Sequence, residues 1–154
     1  LELDLGVAVI KQYSNGITAW AEQPGGARDV SAETKEARNY GIEVLKRAGK
    51  DGWTARVAPD AEVEGVKCHA FVVGDAEGHD TTFFVDAATM LPVKVSYTSK
   101  QGMTEVVSKD YRDVSGCKMA YSVVQYREGK KFIDTTFTEI TVGVDVDPKL
   151  FEKE

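Results

Sequence analysis

The sequence lacks the features that several common classes of protein require. No apolar run approaches the roughly 20 residues that a membrane-spanning helix needs. The net charge is -6, which argues against a nucleic-acid partner, because proteins that bind nucleic acid carry basic patches. Internal repeats, low-complexity tracts and linkers are also missing. A chain of 154 residues with this composition therefore predicts one ordinary globular domain.

Catalytic motifs are missing as well. The sequence has no Gly-x-Ser-x-Gly elbow and no Walker-type or Rossmann glycine fingerprint. The segment "DYRDV" offers Asp110, Arg112 and Asp113, which suit either an acid/base cluster or an ion pair at the surface end of a strand. The ion pair is the favoured interpretation. We therefore predict a protein that is not an enzyme, with no catalytic residues and no cofactor.

Only two cysteines are present, which makes them a weak signal of compartment. Cys68 and Cys117 each lie in or beside a predicted strand, and neither has a reactive motif with a histidine and an acid. Several strands, each roughly 4.8 Å from the next, would separate the two cysteines in a simple meander. That separation exceeds disulfide reach unless the sheet curls strongly, so free thiols are favoured over a bridge.

Histidine is equally scarce, with His69 in a predicted strand and His79 in the turn "GDAEGHD". That turn also contains Asp75, Glu77 and Asp80, and carboxylates with an imidazole are able to ligate divalent ions. The spacing is not that of an EF-hand, and a zinc site usually assembles three or four firm ligands. A solvated acidic turn is therefore favoured, and no metal site is predicted.

The first third of the chain predicts a hairpin and one main helix. Two β-rich runs flank Asn15-Gly16, a pair that suits a type I′ turn. Ser31 is predicted to cap a helix from about Ala32 to Ala48, followed by Gly49 as a left-handed cap. Residues at helical spacing mark one apolar face of this helix: Ala37, Tyr40, Val44 and Ala48.

The rest of the chain predicts an antiparallel meander of about six strands joined by tight, Gly-bearing turns. "WTARVAP" and "EVEGVKCHAFVVG" form its first two runs. Alternate side chains of a strand share a face, so Met103, Val107 and Tyr111 are predicted to lie together. Phe83 and Phe84 are adjacent, which places bulky apolar groups on both faces. A single helix covers one face only, so the second set either packs under loops or lines a cavity.

Apolar and aromatic strand positions are the candidate ligand-binding residues. Methionine repacks easily, and tyrosine combines an apolar ring with a polar tip, which suits an adaptable cavity. Ordinary core packing against the helix is the alternative, and it is expected for at least half of the set. The predicted ligand-binding residues are Phe83, Val95, Tyr97, Met119 and Tyr121.

Three segments resemble the LolA-like family of outer-membrane lipoprotein-sorting proteins. They read, in order, "FFVDAATMLPVKV", "DYRDVSGCKMAYSV" and "ITVGVDVDPKLFEK". "NGITAW" and the helix after it also resemble the early hairpin and helix of the family, and the likeness covers most of Ile17 to Glu152. The resemblance implies an α+β, mostly antiparallel fold in which a strongly curved half-barrel sheet packs on one main helix. In the carriers of this family, the apolar interior accepts the acyl chains of a lipoprotein.

The same resemblance implies a role in the periplasm or cell envelope, with a lipid or an acylated lipoprotein as partner. The alternative is a non-catalytic structural or protein-interaction module of a larger envelope protein, because LolA-like domains also occur in that setting. Family members usually have a further helix and strands before this point. We therefore expect a single LolA-like domain over residues 1–154 without those elements, and a signal peptide that is not in this chain.

The N-terminal hairpin predicts self-association. If upstream residues normally complete the sheet, the strand from Leu5 to Ile10 is an unprotected edge, and it carries neither charge nor proline. An exposed edge recruits another strand through its unpaired N–H and C=O groups. We expect association through this hairpin, as an edge-to-edge homodimer or a strand exchange, weakened by Val9→Lys.

Overall fold

A computed structural model describes residues 2–4, 9–14, 18–50, 52–143, 145 and 147. The chain forms two compact units: a first unit of residues 1–38 with 143–154, and a second unit of residues 39–142. A single LolA-like domain over residues 1–154 stays a prediction.

The first unit contains a four-stranded antiparallel sheet in the order β1-β2-β3-β4. Its strands are β1 (Glu2–Asp4), β2 (Val9–Ser14), β3 (Ala19–Gln23) and β4 (Gly26–Asp29). β2 and β3 form the predicted hairpin, in which Ser14 lies opposite Ala19. The Asn15-Gly16 turn itself lies outside the described residues.

The pairing of β1 overturns the expected exposure of the N-terminal edge. Val9 lies opposite Asp4 and Ile10 opposite Leu3, so β2 is an interior strand between β1 and β3. The expectation of an unprotected edge is therefore wrong at Val9 and Ile10, while residues 5–8 lie outside the described residues. A homodimer through this hairpin has no support from the structure.

The predicted helix over residues 32–48 is wrong, because two short helical segments replace it. α1 spans Ser31–Ala37, and a 3₁₀ helix spans Gly41–Arg47. Between them Tyr40 is extended, with φ of -136° and ψ of 169°, and Gly41 has φ of 73°, a left-handed conformation that favours glycine. No helix in the described part of the chain has the length and apolarity that crossing a membrane requires.

Ser31 is not the cap that the sequence suggested. It is the first residue of α1, and its hydroxyl does not cap the helix but forms hydrogen bonds with a residue of β3. The Ser31 hydroxyl accepts a hydrogen bond from the backbone N–H of Ala19 at 2.8 Å and donates one to the carbonyl of Ala19 at 3.2 Å. The hydroxyl therefore fixes the start of α1 against the adjacent strand.

The second unit contains a seven-stranded antiparallel meander whose spatial order follows the chain, with β5 and β11 at its two edges. The predicted α+β, mostly antiparallel fold class is confirmed, with seven strands in place of about six. The strands are β5 (Thr54–Val63), β6 (Val66–Gly74), β7 (Thr81–Asp86), β8 (Pro92–Ser99), β9 (Gly102–Val114), β10 (Cys117–Arg127) and β11 (Lys130–Thr136).

The boundary between the first two runs of the meander differs from the prediction. Glu64 and Gly65 form the turn between β5 and β6, with φ of 50° and 85°, so "EVEGVKCHAFVVG" is not one strand. β5 continues through Pro59, which lacks the N–H that a ladder needs. The register shifts between Ala58 and Ala61, and β5 is an edge strand, which is where proline is tolerated.

The core of the second unit lies between the 3₁₀ helix and the sheet. Its buried members are Val44, Trp53, Val73, Phe83 and Val95. Phe83 is completely buried, and its ring stacks on Phe71 with 5.1 Å between the ring centroids. Phe84, on the opposite face, is half-buried under Lys94, whose ammonium lies 4.6 Å from the ring centroid. Lys94 thus covers the ring of Phe84, so the aromatic residue on the other face of the sheet is shielded without a second cavity.

Both cysteines are free thiols in the structure. Cys68 is buried in β6 and Cys117 is exposed at the start of β10. Burial raises the pKa of the Cys68 thiol, and the nearby carboxylate of Asp86 adds to that effect. Because the thiolate is the reactive form, Cys68 is expected to be chemically inert.

Candidate ligand-binding cavity

Asp86 organises the turn that leads into β8. One oxygen of its carboxylate accepts the backbone N–H of Ala88 at 2.8 Å, and the other accepts the hydroxyl of Thr89 at 2.9 Å. The Asp86 carbonyl also accepts the N–H of Met90, while the Asp86 N–H donates to the carbonyl of Leu91. This turn holds Met90 at φ of 60°, and it fixes where the chain enters β8.

These hydrogen bonds predict a pH dependence of stability. The N–H of Ala88, and then the hydroxyl of Thr89, lower the pKa of Asp86 from 3.8. Since the pKa is lower in the folded state, the carboxylate stabilises the fold above about pH 4 and loses that contribution as the pH falls through the folded value. We expect the stability difference between wild type and Asp86→Asn to be constant above about pH 5 and to shrink in more acidic buffer.

Chemical denaturation at a series of pH values measures this difference. Thr89→Val is the matched control, because it removes one donor to Asp86 and should reduce the pH-dependent part. A stability difference between wild type and Asp86→Asn that does not change with pH would contradict the assignment.

A cavity of about 490 Å³ lies between the 3₁₀ helix and strands β8, β9 and β10 of the second unit. This volume is within the range of about 300–1,000 Å³ that is usual for small-molecule sites. Its wall is mainly apolar, and the apolar side chains come from all of these elements. They include Ile42, Leu91, Pro92, Val95, Val106 and Met119.

The two tyrosine side chains of the wall already have partners. The hydroxyl of Tyr111 donates a hydrogen bond to the carbonyl of Pro92 at 2.7 Å. Burial raises the pKa of Tyr111, against a smaller opposing effect of a hydrogen bond with Ser108. Burial also raises the pKa of Tyr97, whose ring stacks on Tyr40 with 5.1 Å between centroids. Both phenols are therefore neutral at physiological pH, and the interior requires no charged ligand group.

Tyr111 lies on this wall next to a local irregularity of β9. Val106 lies opposite Val95, and Val107 lies opposite Lys94 on the other face of the sheet. Regular alternation would place Tyr111 with Val107, as the sequence suggested, yet Tyr111 lines the cavity together with Val106. Asp110, directly before it, has φ of 52° inside the strand. This left-handed residue is the irregularity of β9 between Val106 and Tyr111.

The structure brings three of the five sequence-predicted residues together. Val95, Tyr97 and Met119 line the cavity. Phe83 lies in the core behind it, and Tyr121 is buried beneath Arg112, whose guanidinium carbon is 4.2 Å from the ring centroid.

Sequence reasoning missed several wall residues. Leu91, Pro92 and Tyr111 all stand in the segments that carry the family resemblance, which was the signal available to find them. In "DYRDV", Arg112 pairs with Asp110 at an exposed position, so this segment contributes an ion pair as well as a cavity residue.

The acidic turn after β6 is tightly hydrogen-bonded. Asp75 accepts the backbone N–H groups of Glu77 and His79, and its second oxygen lies 2.8 Å from Nδ1 of the imidazole. Burial raises the pKa of Asp75, but the bonds from His79 and Glu77 together lower it. One potential ligand atom from each of Asp75, Glu77 and His79 lies within 4.8 Å of the others, close enough to reach one ion. The carboxylate of Asp75 is, however, already hydrogen-bonded within the turn. Asp80 instead pairs with Arg56.

Similar solved structures show what this fold is. No protein-family model and no curated protein matches the sequence. A domain described as an outer membrane lipoprotein-sorting protein domain, from Vibrio parahaemolyticus, matches with a TM-score of 0.64 and 11% identity, over 97% of this chain and 72% of that one.

Two further structures agree. A DUF1329 family protein from Desulfovibrio piger has a TM-score of 0.62 and 13% identity, over 94% of this chain and 69% of that one. A LolA superfamily protein from Nitrosomonas europaea has a TM-score of 0.52 and 10% identity, over 95% of this chain and 70% of that one. At identities this low, the comparisons establish the fold alone. For the fold, the resemblance read from the sequence is confirmed: the chain has a LolA-like fold.

Proposed function

We propose that the protein is a non-catalytic carrier of the cell envelope, which holds the acyl chain of a lipid or lipoprotein in the cavity of its second unit. One observation carries the proposal: the cavity wall is mainly apolar, and the hydroxyl of Tyr111, which lies on that wall, already donates a hydrogen bond to the carbonyl of Pro92. The LolA-like fold supports the periplasmic or envelope location and the class of partner.

The energetics of the wall favour an acyl chain over a polar ligand. Each methylene removed from water contributes about 0.8 kcal/mol to binding. A hydrogen-bond acceptor inside the cavity would gain little from Tyr111, because the hydroxyl of Tyr111 already donates to the carbonyl of Pro92 and would have to break that bond. Val95, Tyr97 and Met119 serve as ligand contacts in this proposal. It also includes a half-barrel curvature of the seven-stranded sheet, since a bent sheet encloses a chain that a flat one leaves exposed.

Titration with a fluorescent fatty-acid probe tests this function. We expect saturable binding at one site per chain, and displacement of the probe by an unlabelled fatty acid. Short polar molecules that resemble only the head group, such as acetate or glycerol, should not displace it. The proposal fails if the probe binds without saturation and if organic extracts of the purified protein contain no lipid.

A protein-interaction module is the second candidate, and the edge strand β11 favours it. Phe132 and Ile133 are 55% and 40% exposed on that strand. An exposed strand edge with apolar side chains is suited to pairing with another chain. A protein that stays monomeric in light scattering at high concentration, and captures nothing from envelope extracts, would remove the support for this candidate.

A further inference from the structure

Lys118 is the charged residue of the cavity wall, and it lies at the mouth. Among the described residues that line the cavity, no other side chain carries a charge. Its side chain is 54% exposed, while its neighbours Met119 and Ala120 are half-buried on the same wall. The ammonium therefore lies where the apolar interior meets water.

The ammonium of Lys118 is only loosely paired. Its distance to the carboxylate of Asp113 is 3.5 Å, which is too long for a strong hydrogen bond. Lys94 and Lys131, in contrast, hold their partners at 2.9 Å. Asp113 also accepts the backbone N–H of Gly116 at 3.0 Å, which keeps this carboxylate on its own turn. Lys118 thus retains hydrogen-bond donors for another anion.

From this geometry we infer that the cavity selects single-chain amphiphiles with an anionic head group, a carboxylate or a phosphate, and that Lys118 binds that group. The inference rests on the proposed function and specifies its ligand. The chain lies against the apolar wall, and the head group stays at the mouth, because the phenol of Tyr111 is committed to Pro92. The net charge of -6 repels anions at long range, so the selectivity comes from the local contact with Lys118.

Competition against the fluorescent fatty-acid probe measures this selectivity. The competitors are dodecanoate, dodecyl phosphate and dodecanol, which share one chain and differ in the head group. We expect at least one of the anions to bind up to about fivefold more tightly than the alcohol, the size of effect typical of a partly exposed ion pair. The anion that competes better identifies the head group.

Three variants test whether Lys118 causes the preference for an anionic head group. Lys118→Met should bring the anions to the affinity of the alcohol, whereas Lys118→Arg should keep the preference. Lys67→Met, an exposed lysine of β6 away from the cavity wall, should behave as wild type. The inference is overturned if wild type binds the alcohol as tightly as both anions, or if Lys118→Met keeps the preference. If none of the three competitors displaces the probe, the proposed function itself fails.

Discussion

Replacing Phe83 by alanine should lower the free energy of unfolding of the second unit by about 3–5 kcal/mol. The side chain of Phe83 is completely buried, and its ring stacks on Phe71. It packs among residues of the 3₁₀ helix and the neighbouring strands, which form one cluster with it. Because the strands β6, β7 and β8 are joined by backbone hydrogen bonds, they are not free to collapse into the space that the ring leaves, and the loss includes a cavity cost.

Denaturant unfolding followed by the fluorescence of Trp53 measures this loss, since Trp53 belongs to the same core cluster. A Trp20→Phe background, present in every protein compared, removes the signal of the tryptophan in the first unit. Phe84→Ala is the matched control. Its ring lies half-buried under Lys94, so its loss should cost about 1 kcal/mol. Equal losses at both positions would contradict the placement of the core on the Phe83 face.

The meander was predictable because its signals are local. Turns rich in glycine separate runs in which apolar and polar residues alternate. Alternation alone predicted that Phe83 and Phe84 lie on opposite faces of the sheet. Two details of the meander were not predicted, and the reasons are also local. The turn at Glu64-Gly65 lies in a stretch where apolar and charged residues interleave, so the strands on either side of it read as one. Pro59 reads as a terminator, although an edge strand tolerates it.

The broken helix shows where periodicity misleads. Tyr40 fits the apolar face of a helix by spacing, but its ring packs on Tyr97 and meets the imidazole of His79 edge-on at 5.5 Å. Both partners lie far along the chain, so no window of sequence reveals the contact that holds Tyr40 extended. The local signal in the sequence was the glycine at position 41, which the structure shows in a left-handed conformation with φ of 73°.

The cavity was predictable to the extent that alternation held. Val95 and Tyr97 share a face by period 2, and both line the wall. Tyr111 lies on the wall directly after Asp110, which has φ of 52°, and an aspartate within an apparent strand gives no sign of that conformation in the sequence. The role of Lys118 depends on how loosely Asp113 pairs with it, which is a distance and not a pattern.

Replacing Ala120 by tryptophan should weaken binding of the fluorescent fatty-acid probe by at least about tenfold, which corresponds to about 1.4 kcal/mol. Ala120 lies on the wall in β10, opposite Tyr111 in the neighbouring strand. An indole at this position occupies space that the acyl chain needs. The fold should tolerate it, because the cavity is open space rather than packed core, and tryptophan is well suited to a strand.

Probe titration and denaturant unfolding, performed on the same samples, separate the two effects. Val57→Trp is the matched control: it introduces the same side chain into the same sheet, at an edge position that is 91% exposed and away from the cavity. It should leave the affinity for the probe unchanged. Competitors with shorter chains should lose less affinity than dodecanoate in Ala120→Trp, because the indole removes only part of the length of the cavity. If Ala120→Trp is as stable as wild type and binds the probe equally well, the ligand does not occupy this cavity.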